Sequence, residues 1–285
     1  MEVKVHYALV INMKKEDVEI SISGWTECSL VDVIGSVTFT LWFSYCNFRC
    51  PWCQNAPVVK GKDVKRVKVK SIIERVIESR EFIDYLHVTG GEPTLQAKGL
   101  ISLFTLAKEN NIKTSLSTNG SNPEVIRKLI EKNLIDHIAI DIKAPLNNEN
   151  KYSISIGLSL TELKNRNYLE KIKESLEISL RNIPIIELRV PIVPNIHTKE
   201  DVLETIDYLS KIINNKKTKV DIVLQQFVPS ETVLSEEFRK ITKTPLGFLH
   251  SIASEVIRKG HLKKIYIRSI DKGVEIITKT QTTTL

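Results

Sequence analysis

Long apolar runs are missing from this 285-residue sequence. None reaches the roughly 18 residues that a membrane-spanning helix needs. The first residues, MEVKVHYALVINMKKEDVEI, are charged throughout and lack the apolar core of a signal peptide. Linkers rich in glycine and serine, and short internal repeats, are also missing. These absences argue against a membrane or secreted protein, and we expect one cytoplasmic domain over residues 1–285.

Cysteine is scarce as well, with four residues in the whole chain. Four are too few for the disulfide framework of a secreted scaffold. Three of them, Cys46, Cys50 and Cys53, nevertheless lie within eight residues in the segment SYCNFRCPWCQN. Such tight spacing in an intracellular protein favours metal or redox chemistry.

The chain carries a formal charge of +7, with 42% apolar and 26% charged residues. These proportions are ordinary for a globular protein. Basic residues cluster at 60–70 and 258–268, which we interpret as solvated faces. A nucleic-acid partner is compatible with these clusters but not favoured, because the first has no aromatic side chains on which bases could stack.

Short β-branched segments alternate with amphipathic segments along the chain. We predict strands at 37–43, 84–88, 113–117, 137–141, 185–193 and 219–227. We predict helices at 71–80, with a Ser71/Glu74 capping box, at 100–110, from Pro123 after an Asn122 N-cap, and at 198–213. About six strand–helix units imply an α/β fold with a parallel sheet and right-handed crossovers. This periodicity fits a partial barrel and a flat doubly wound sheet equally well.

The predicted core covers about residues 36–230. We expect a β-rich N-terminal extension at 1–35 and a C-terminal extension at 231–285, which contains a helix and a late strand and ends in a frayed tail. Chemistry in parallel α/β folds lies where strands end. The cysteine cluster, TGGEP (89–93), STNG (117–120) and DIKAP (141–145) each follow or end one of the first four predicted core strands. Four unusual loops are therefore expected to meet on one face.

Three cysteine thiolates can bind several soft metal centres. One alternative is zinc, with Cys28 or a histidine as the fourth ligand. Another is an iron–sulfur cluster with one iron left open, since an open position is typical of a catalytic metal site. Three free thiols are the remaining alternative. The spacing alone does not decide among them.

The motif C-x3-C-x-aromatic-C (46–53), followed by GGEP (90–93), resembles the radical S-adenosylmethionine (SAM) superfamily. The resemblance covers roughly residues 20–230. Three segments make it most similar to the glycyl-radical enzyme activating branch: 24–43, 46–55 and LQQFVPS (224–230). Within that branch it looks like the anaerobic ribonucleoside-triphosphate reductase activating proteins, which neighbour pyruvate formate-lyase activating enzyme.

This resemblance implies a partial (β/α)6 barrel of the TIM type and a 4Fe-4S cluster held by Cys46, Cys50 and Cys53. It implies that the free iron binds SAM, which is cleaved reductively to a 5′-deoxyadenosyl radical that abstracts hydrogen. The implied partners are a glycyl-radical protein as substrate and an electron donor such as flavodoxin or ferredoxin. The alternatives are a small molecule or RNA as substrate, or a non-enzymatic zinc-binding module.

The resemblance also implies roles around the cysteines. Gly90 and Gly91, which lack Cβ atoms, would let the backbone approach the amino group of the methionine moiety. Glu92 would accept hydrogen bonds from that ammonium, and Pro93 completes the motif. Trp52 takes the aromatic position that lies near adenine in the family, with a plain core role as its alternative.

Ser117 and Asn119 take positions that the family uses for the methionine carboxylate, the ribose or a cation. Pyruvate formate-lyase activating enzyme has aspartate at the Ser117 position, which leaves a monovalent-cation site undecided here. Asp141 and Lys143 match the family's D-x-K, and Lys143 could balance the carboxylate. Arg189 is a further candidate for this pocket, with an ion pair as its alternative.

Other polar residues receive no role in cofactor binding. We expect His87 and His137 to be satisfied core histidines and His197 to lie in a loop or at a helix start. Gln54 replaces a histidine that is common after the cysteines in close relatives. Cys28 is expected to be a spectator thiol.

Overall fold

A computed structural model describes residues 18–62, 64–213 and 218–279. The strands are β1 (Glu19–Ser29), β2 (Thr38–Phe43), β3 (Lys65–Lys68), β4 (Tyr85–Gly90), β5 (Thr114–Thr118), β6 (His137–Asp141), β7 (Ile185–Ile192), β8 (Lys219–Gln226), β9 (Lys264–Ser269) and β10 (Gly273–Thr278). The α-helices are α1 (Ala56–Val59), α2 (Val69–Ser79), α3 (Ala97–Glu109), α4 (Pro123–Glu131), α5 (Glu149–Ile156), α6 (Leu160–Asn165), α7 (Tyr168–Asn182), α8 (Lys199–Ile213), α9 (Glu236–Lys240) and α10 (Leu246–Arg258). A 3₁₀ turn covers Pro93–Gln96. None of the described helices is long and apolar enough to span a membrane.

All ten strands belong to one sheet, in the order β10-β9-β8-β7-β6-β5-β4-β2-β1-β3. Every neighbouring pair from β2 to β9 is parallel. These parallel strands follow one another in chain order, whereas a doubly wound sheet reverses direction at an internal switch point. The sheet is therefore wound in one direction, as in a barrel. Strands β3 and β10 stay at opposite edges of the described sheet, so the barrel is partial, as predicted.

Antiparallel strands extend both ends of this sheet. Strand β1 pairs with β2 and β3, and β10 pairs with β9. The described part of the expected β-rich N-terminal extension thus contains a strand. Residues 1–17 of this extension, and residues 280–285 of the expected frayed tail, lie outside the described residues. Part of the first basic cluster forms edge strand β3. Arg268 of the second cluster is not on a solvated face, because it lies inside the barrel beside Glu187.

Along the parallel strands, side chains alternate between the apolar layer under the helices and the polar interior of the barrel. On β7, Ile186, Leu188 and Val190 belong to the apolar core between sheet and helices. The intervening Glu187 and Arg189 are also buried, but Arg189 donates to Glu187 Oε2 and to Ser117 Oγ of β5. Because successive strand residues point to opposite faces, the barrel interior is polar while its outer layer is apolar.

Three details differ from the sequence predictions. Helix α2 begins at Val69 with Lys68 as its N-cap, so the predicted Ser71/Glu74 capping box was wrong. The reason is that β3 runs directly into the helix. Asn122 does precede Pro123 at the start of α4, but its side chain donates to Thr94 Oγ1 (2.7 Å) instead of capping the helix. Helices α5 to α7 were not predicted.

Candidate functional site

The cysteine loop, residues 44–55, leaves the carboxyl end of β2. Cys50 is buried, Cys46 and Cys53 are partly buried, and all three thiols are free. The end of α5 holds this loop, because the Arg49 amide donates to the Ile156 carbonyl (2.8 Å) and Trp52 Nε1 donates to the Ser155 carbonyl (2.9 Å). The loop is therefore fixed by a helix that the sequence did not reveal.

Residues 228–235, which follow β8, contact the other side of the cysteine loop. The amide of Leu234 donates to the Cys53 carbonyl and that of Ser235 to the Pro51 carbonyl, both at 2.9 Å. Gln54 Nε2 donates to the Val228 carbonyl (2.5 Å). Val228 of the LQQFVPS segment and the residues that follow it therefore hold the cysteine loop in place, and Gln54 makes one of these bonds.

Gly90 and Gly91 dock the end of β4 against the cysteine loop. A Cβ atom on Gly90, whose φ is +120°, would lie 2.3 Å from the Phe43 carbonyl oxygen. One on Gly91 would lie 1.9 Å from the Tyr45 carbonyl oxygen. The approach allows two backbone hydrogen bonds, from Gly91 N to Phe43 O and from Glu92 N to Tyr45 O, both 2.8 Å. The close neighbour here is protein backbone, and the predicted approach to a methionine amino group stays a prediction.

Glu92 is fully buried and already bound to protein donors. Its Oε1 accepts from the Thr94 amide (3.1 Å) and from the hydroxyls of Thr94 and Thr118 (2.8 Å for Thr118). Its Oε2 accepts from the Asn119 amide (2.7 Å). Burial raises the pKa of Glu92, and these donors work to lower it. A carboxylate has about four lone-pair sites, so a role towards an ammonium is confined to the remaining site on Oε2.

Asn119 connects the STNG loop with the cysteines. Its Nδ2 donates to Asn47 Oδ1 (2.9 Å) and lies 4.0 Å from Cys46 Sγ. Asn47 in turn donates to Ser121 Oγ (2.8 Å) and to the Tyr168 hydroxyl (3.2 Å). Sequence reasoning missed Asn47, although its place between two cysteines was a usable signal. Its amide orders the loop beside the first thiol.

Lys143 carries a buried positive charge next to the cysteines. Its Nζ lies 2.9 Å from Asp141 Oδ2 and 5.1 Å from the ring centroid of Trp52. Burial works to lower the pKa of Lys143, but the Asp141 carboxylate outweighs burial and raises it. The ammonium therefore stays charged, and the Trp52 ring is held between α5 and this cation.

The thiols themselves are costly to ionise in this chain. Burial raises the pKa of Cys46 to about 11, and the Glu92 carboxylate adds to the rise. Burial also raises the pKa of Cys50 and of Cys53. The charge of Lys143 acts in the opposite direction on all three. Binding to a cationic centre would relieve this cost, because metal ligands are thiolates.

Ser117 and Arg189 belong to the polar interior of the barrel. Arg189 donates to Glu187 Oε2 (2.9 Å), to Ser117 Oγ (2.8 Å) and to the Asp32 carbonyl. Ser117 Oγ also pairs with His87 Nε2 (3.1 Å). No contact found in the described part of the chain joins these two residues to the cysteine loop. Arg189 thus makes the ion pair that was its alternative, and the cofactor roles of Arg189 and Ser117 stay predictions.

His87 and His137 are core histidines, as expected. Ser115 Oγ lies 2.7 Å from Nδ1 of each ring. Burial lowers the pKa of His137 to about 4, and it also lowers that of His87. His197 lies just before α8, with its Nε2 2.8 Å from the Lys143 carbonyl. His87 and His197 bond through both ring nitrogens. His137 is satisfied only at Nδ1, because its buried Nε2 has no hydrogen-bond partner among the described residues.

Cys28 lies at the other end of β2 from the cysteine loop. In the antiparallel pair, Ile22 is opposite Phe43 and Ser29 is opposite Thr38. At about 3.3 Å per residue, the strand separates Cys28 from the loop by roughly 15–20 Å. It therefore cannot supply the fourth zinc ligand. Within 18–62, 64–213 and 218–279, no three His, Cys, Asp or Glu side chains converge on one metal ion, so the positions of the side chains alone do not distinguish zinc from an iron–sulfur cluster.

A family profile and individual relatives match this chain. The family profile described as "Radical SAM superfamily" matches residues 41–209, which is more than half of the chain. "Putative glycyl-radical enzyme activating enzyme MJ1227" of Methanocaldococcus jannaschii is 28% identical over 258 residues, covering 90% of this chain and 98% of that protein. Pyruvate formate-lyase 1-activating enzyme of Escherichia coli K12 is 30% identical over 129 residues, 43% of this chain and 51% of that enzyme.

Solved structures match the fold at low sequence identity. The structure of TYW1 with a lysine-pyruvate adduct bound has a TM-score of 0.54 and 16% identity. The match covers 86% of this chain and 80% of that one. At this identity the likeness supports the α/β architecture alone.

Proposed function

Because this chain belongs to the radical SAM superfamily, we propose that it activates a glycyl-radical protein. It would abstract a hydrogen atom from the α-carbon of one glycine in a partner protein and leave a backbone radical there. The observation that carries this proposal is the match to the Methanocaldococcus jannaschii protein, whose name states such an activity and which aligns over nearly its full length.

Members of this superfamily use a 4Fe-4S cluster and SAM. The site fits a cluster, because three free and largely buried thiols lie on one loop beside the Lys143 ammonium. When bound, the cluster supplies the electron that splits SAM into methionine and a 5′-deoxyadenosyl radical. The hydrogen atom taken from glycine leaves in 5′-deoxyadenosine. An external one-electron donor, for which we propose a flavodoxin or ferredoxin, closes the electron balance.

The chain's own side chains would orient SAM and the thiolates. Lys143 offsets negative charge near the three sulfurs, and its contact with Trp52 keeps the indole beside the loop. Asn119 offers an amide next to Cys46. Glu92 retains one acceptor site on Oε2 for an ammonium. We assign these groups to cofactor binding, with the two glycines of GGEP holding the loops together.

Three exposed apolar side chains belong to segments at the carboxyl edge of the sheet. Tyr45, in the cysteine loop, is 46% exposed, and Leu95, just after GGEP, is 44% exposed. Ile154 on α5 is 60% exposed. Apolar side chains exposed around a polar site are typical of a surface that meets another macromolecule. This apolar rim (Tyr45, Leu95 and Ile154) supports a protein substrate over a small polar one.

The test is radical transfer to a labelled partner. The protein is reconstituted anaerobically and mixed with SAM, dithionite and a candidate glycyl-radical protein that contains α-deuterated glycine. We expect an organic radical in the electron paramagnetic resonance (EPR) spectrum and deuterium in the 5′-deoxyadenosine. SAM cleavage without deuterium transfer from any glycyl-radical protein encoded beside this chain would contradict the proposal and favour a small-molecule or RNA substrate.

Variants of the apolar rim test whether the partner is a protein that docks there. Leu95→Asp and Ile154→Asp should lower the radical yield on the partner while SAM cleavage without partner is unchanged. Phe82→Asp is the matched control, because Phe82 is 77% exposed but precedes β4 at the opposite edge of the sheet. Equal losses in all three variants would contradict docking at this rim.

A further inference from the structure

The basic segment at 60–70 lies next to the cysteine loop, and nothing described so far uses it. It contains six basic residues and one acidic residue. Four of its cations, which we call the basic flank, have exposed side chains in the turn after α1 or on edge strand β3: Lys60, Lys62, Lys65 and Arg66. The described residues of 56–70 include no carboxylate. The flank is therefore a surface of one charge sign.

The turn that carries Lys60 and Lys62 is fixed against the start of the cysteine loop. The Tyr45 amide donates to the Val58 carbonyl of α1 (2.9 Å). Gly61, which lies between the two lysines, packs so closely on the Tyr45 ring that an added Cβ would lie 2.3 Å from Cε1. Since Tyr45 directly precedes Cys46, these lysines are close to the first thiol of the loop.

Strand β3 brings the other two cations to the same place. Arg66 is opposite Ser21 on β1. The Ser21 carbonyl accepts from the amide of Ser44, the first residue of the cysteine loop (2.9 Å). One strand thus lies between β3 and the loop, and two strand spacings amount to about 10 Å. The whole flank lies beside the beginning of the loop.

The other two sides of the cysteine loop carry charges of both signs. On the side of α5 and α6, Glu149 pairs with Lys164 (2.9 Å). On the side of residues 228–235, helix α9 has two glutamates in its first turn and an arginine and a lysine in its last. Glu19 of β1 is opposite Lys68 of β3 and not opposite the four cations of the flank. A negatively charged protein is therefore attracted to one side of the loop above the others.

A protective role explains only part of the flank. Lysine on an edge strand discourages pairing with another chain, and this accounts for Lys65 and Arg66. Lys60 and Lys62 precede the strand and protect no edge. Their place beside the cysteine loop calls for a partner that must come close to the cluster.

We propose that the basic flank is the docking site of an acidic one-electron carrier protein that reduces the cluster. The carrier loses one electron, the cluster gains it, and the cleavage of SAM consumes it. Encounters between redox proteins bury little area, so attraction between opposite charges governs how often they form. The inference rests on the cluster and SAM cleavage of the proposed function, and it does not depend on the glycyl-radical partner.

Two reductants test this site. Wild type and Lys60→Glu/Lys62→Glu are reconstituted with the cluster, and 5′-deoxyadenosine formation from SAM is measured without any protein substrate. The electron comes either from limiting reduced ferredoxin of net negative charge or from dithionite. At low ionic strength, ferredoxin-driven cleavage in the variant should be slower by roughly tenfold or more, whereas dithionite-driven cleavage should be unchanged. Added salt should slow the ferredoxin-driven rate of the wild type. Lys65→Glu/Arg66→Glu should act in the same direction.

Arg258→Glu/Lys263→Glu is the matched control, because it changes the net charge equally at exposed residues of the opposite edge, after α10 begins its last turn and before β9. Its ferredoxin-driven rate should equal that of the wild type. An equal loss in the control, a loss with dithionite, or a ferredoxin-driven rate that salt does not change would overturn the inference. RNA binding that is lost in Lys60→Glu/Lys62→Glu while the ferredoxin-driven rate is unchanged would overturn it in favour of a nucleic-acid partner.

Discussion

Gly91→Ala is the sharpest test of how the two loops of the site are joined. The new methyl group would lie 1.9 Å from the Tyr45 carbonyl oxygen and 2.5 Å from its carbon, both backbone atoms. Real Cβ atoms stay at least 3.0 Å from such neighbours. The end of β4 and the cysteine loop must therefore separate by more than 1 Å.

That separation breaks the bonds that the approach allows. The hydrogen bonds from Gly91 N to Phe43 O and from Glu92 N to Tyr45 O, both 2.8 Å, would stretch beyond hydrogen-bonding distance. Each buried bond lost costs about 1–3 kcal/mol. We therefore expect a loss of roughly 2–6 kcal/mol, which is a large share of the stability of a typical domain.

Urea denaturation of the cluster-free protein under reducing conditions measures this loss, and iron content after reconstitution shows whether the loop still binds a cluster. Gly247→Ala is the matched control, because nothing lies within 4 Å of its added Cβ and the residue is in α10. Helix propensity makes that variant equal to the wild type or up to about 1 kcal/mol more stable. Wild-type stability and iron content in Gly91→Ala would refute the reasoning.

Two further perturbations test the buried polar groups. Glu92→Gln turns one acceptor into a donor among four protein donors, so the free energy of unfolding should fall by about 1–3 kcal/mol in the same denaturation assay. Glu131→Gln, on an exposed part of α4, is the control and should lose no stability. Equal stability of the two variants would contradict the bonding of Glu92. Folding lowers the pKa of His137 from 6.5 to about 4. The contribution of the neutral ring to the free energy of unfolding is therefore complete above pH 6.5 and is lost as the pH falls to 4. The loss is about 3 kcal/mol. In His137→Asn, stability between pH 6.5 and 4 should depend less on pH, and an unchanged slope would contradict a neutral buried His137.

The parallel core could be predicted from the sequence because local periodicity determines it. Strand β6 spans His137–Asp141 as predicted, and the other predicted core strands differ by one or two residues. The choice between barrel and flat sheet could not be made locally, since it depends on strand order. Helix α5 was missed because its polar sequence has little amphipathic pattern, although its end holds the cysteine loop.

The sequence predicted which residues form the site better than it predicted what each of them contacts. Motif spacing located the cysteines, GGEP and D-x-K, which the fold brings to one edge of the sheet. The contact between Gly91 and Tyr45, the bond from Asn119 to Glu92 and the bond from Arg189 to Ser117 join distant segments. No local pattern encodes such contacts, because they arise only when the strands are placed side by side.

Metal analysis of cysteine variants tests most directly whether Cys46, Cys50 and Cys53 hold a cluster with an open iron. After anaerobic reconstitution, the wild type and Cys28→Ala should contain about four iron and four sulfide per chain, and added SAM should change the EPR spectrum of the reduced cluster. Cys50→Ala should lose SAM cleavage, as should the same change at Cys46 or Cys53. A colourless protein with one tetrahedral zinc, or cleavage retained in Cys50→Ala, would contradict this assignment.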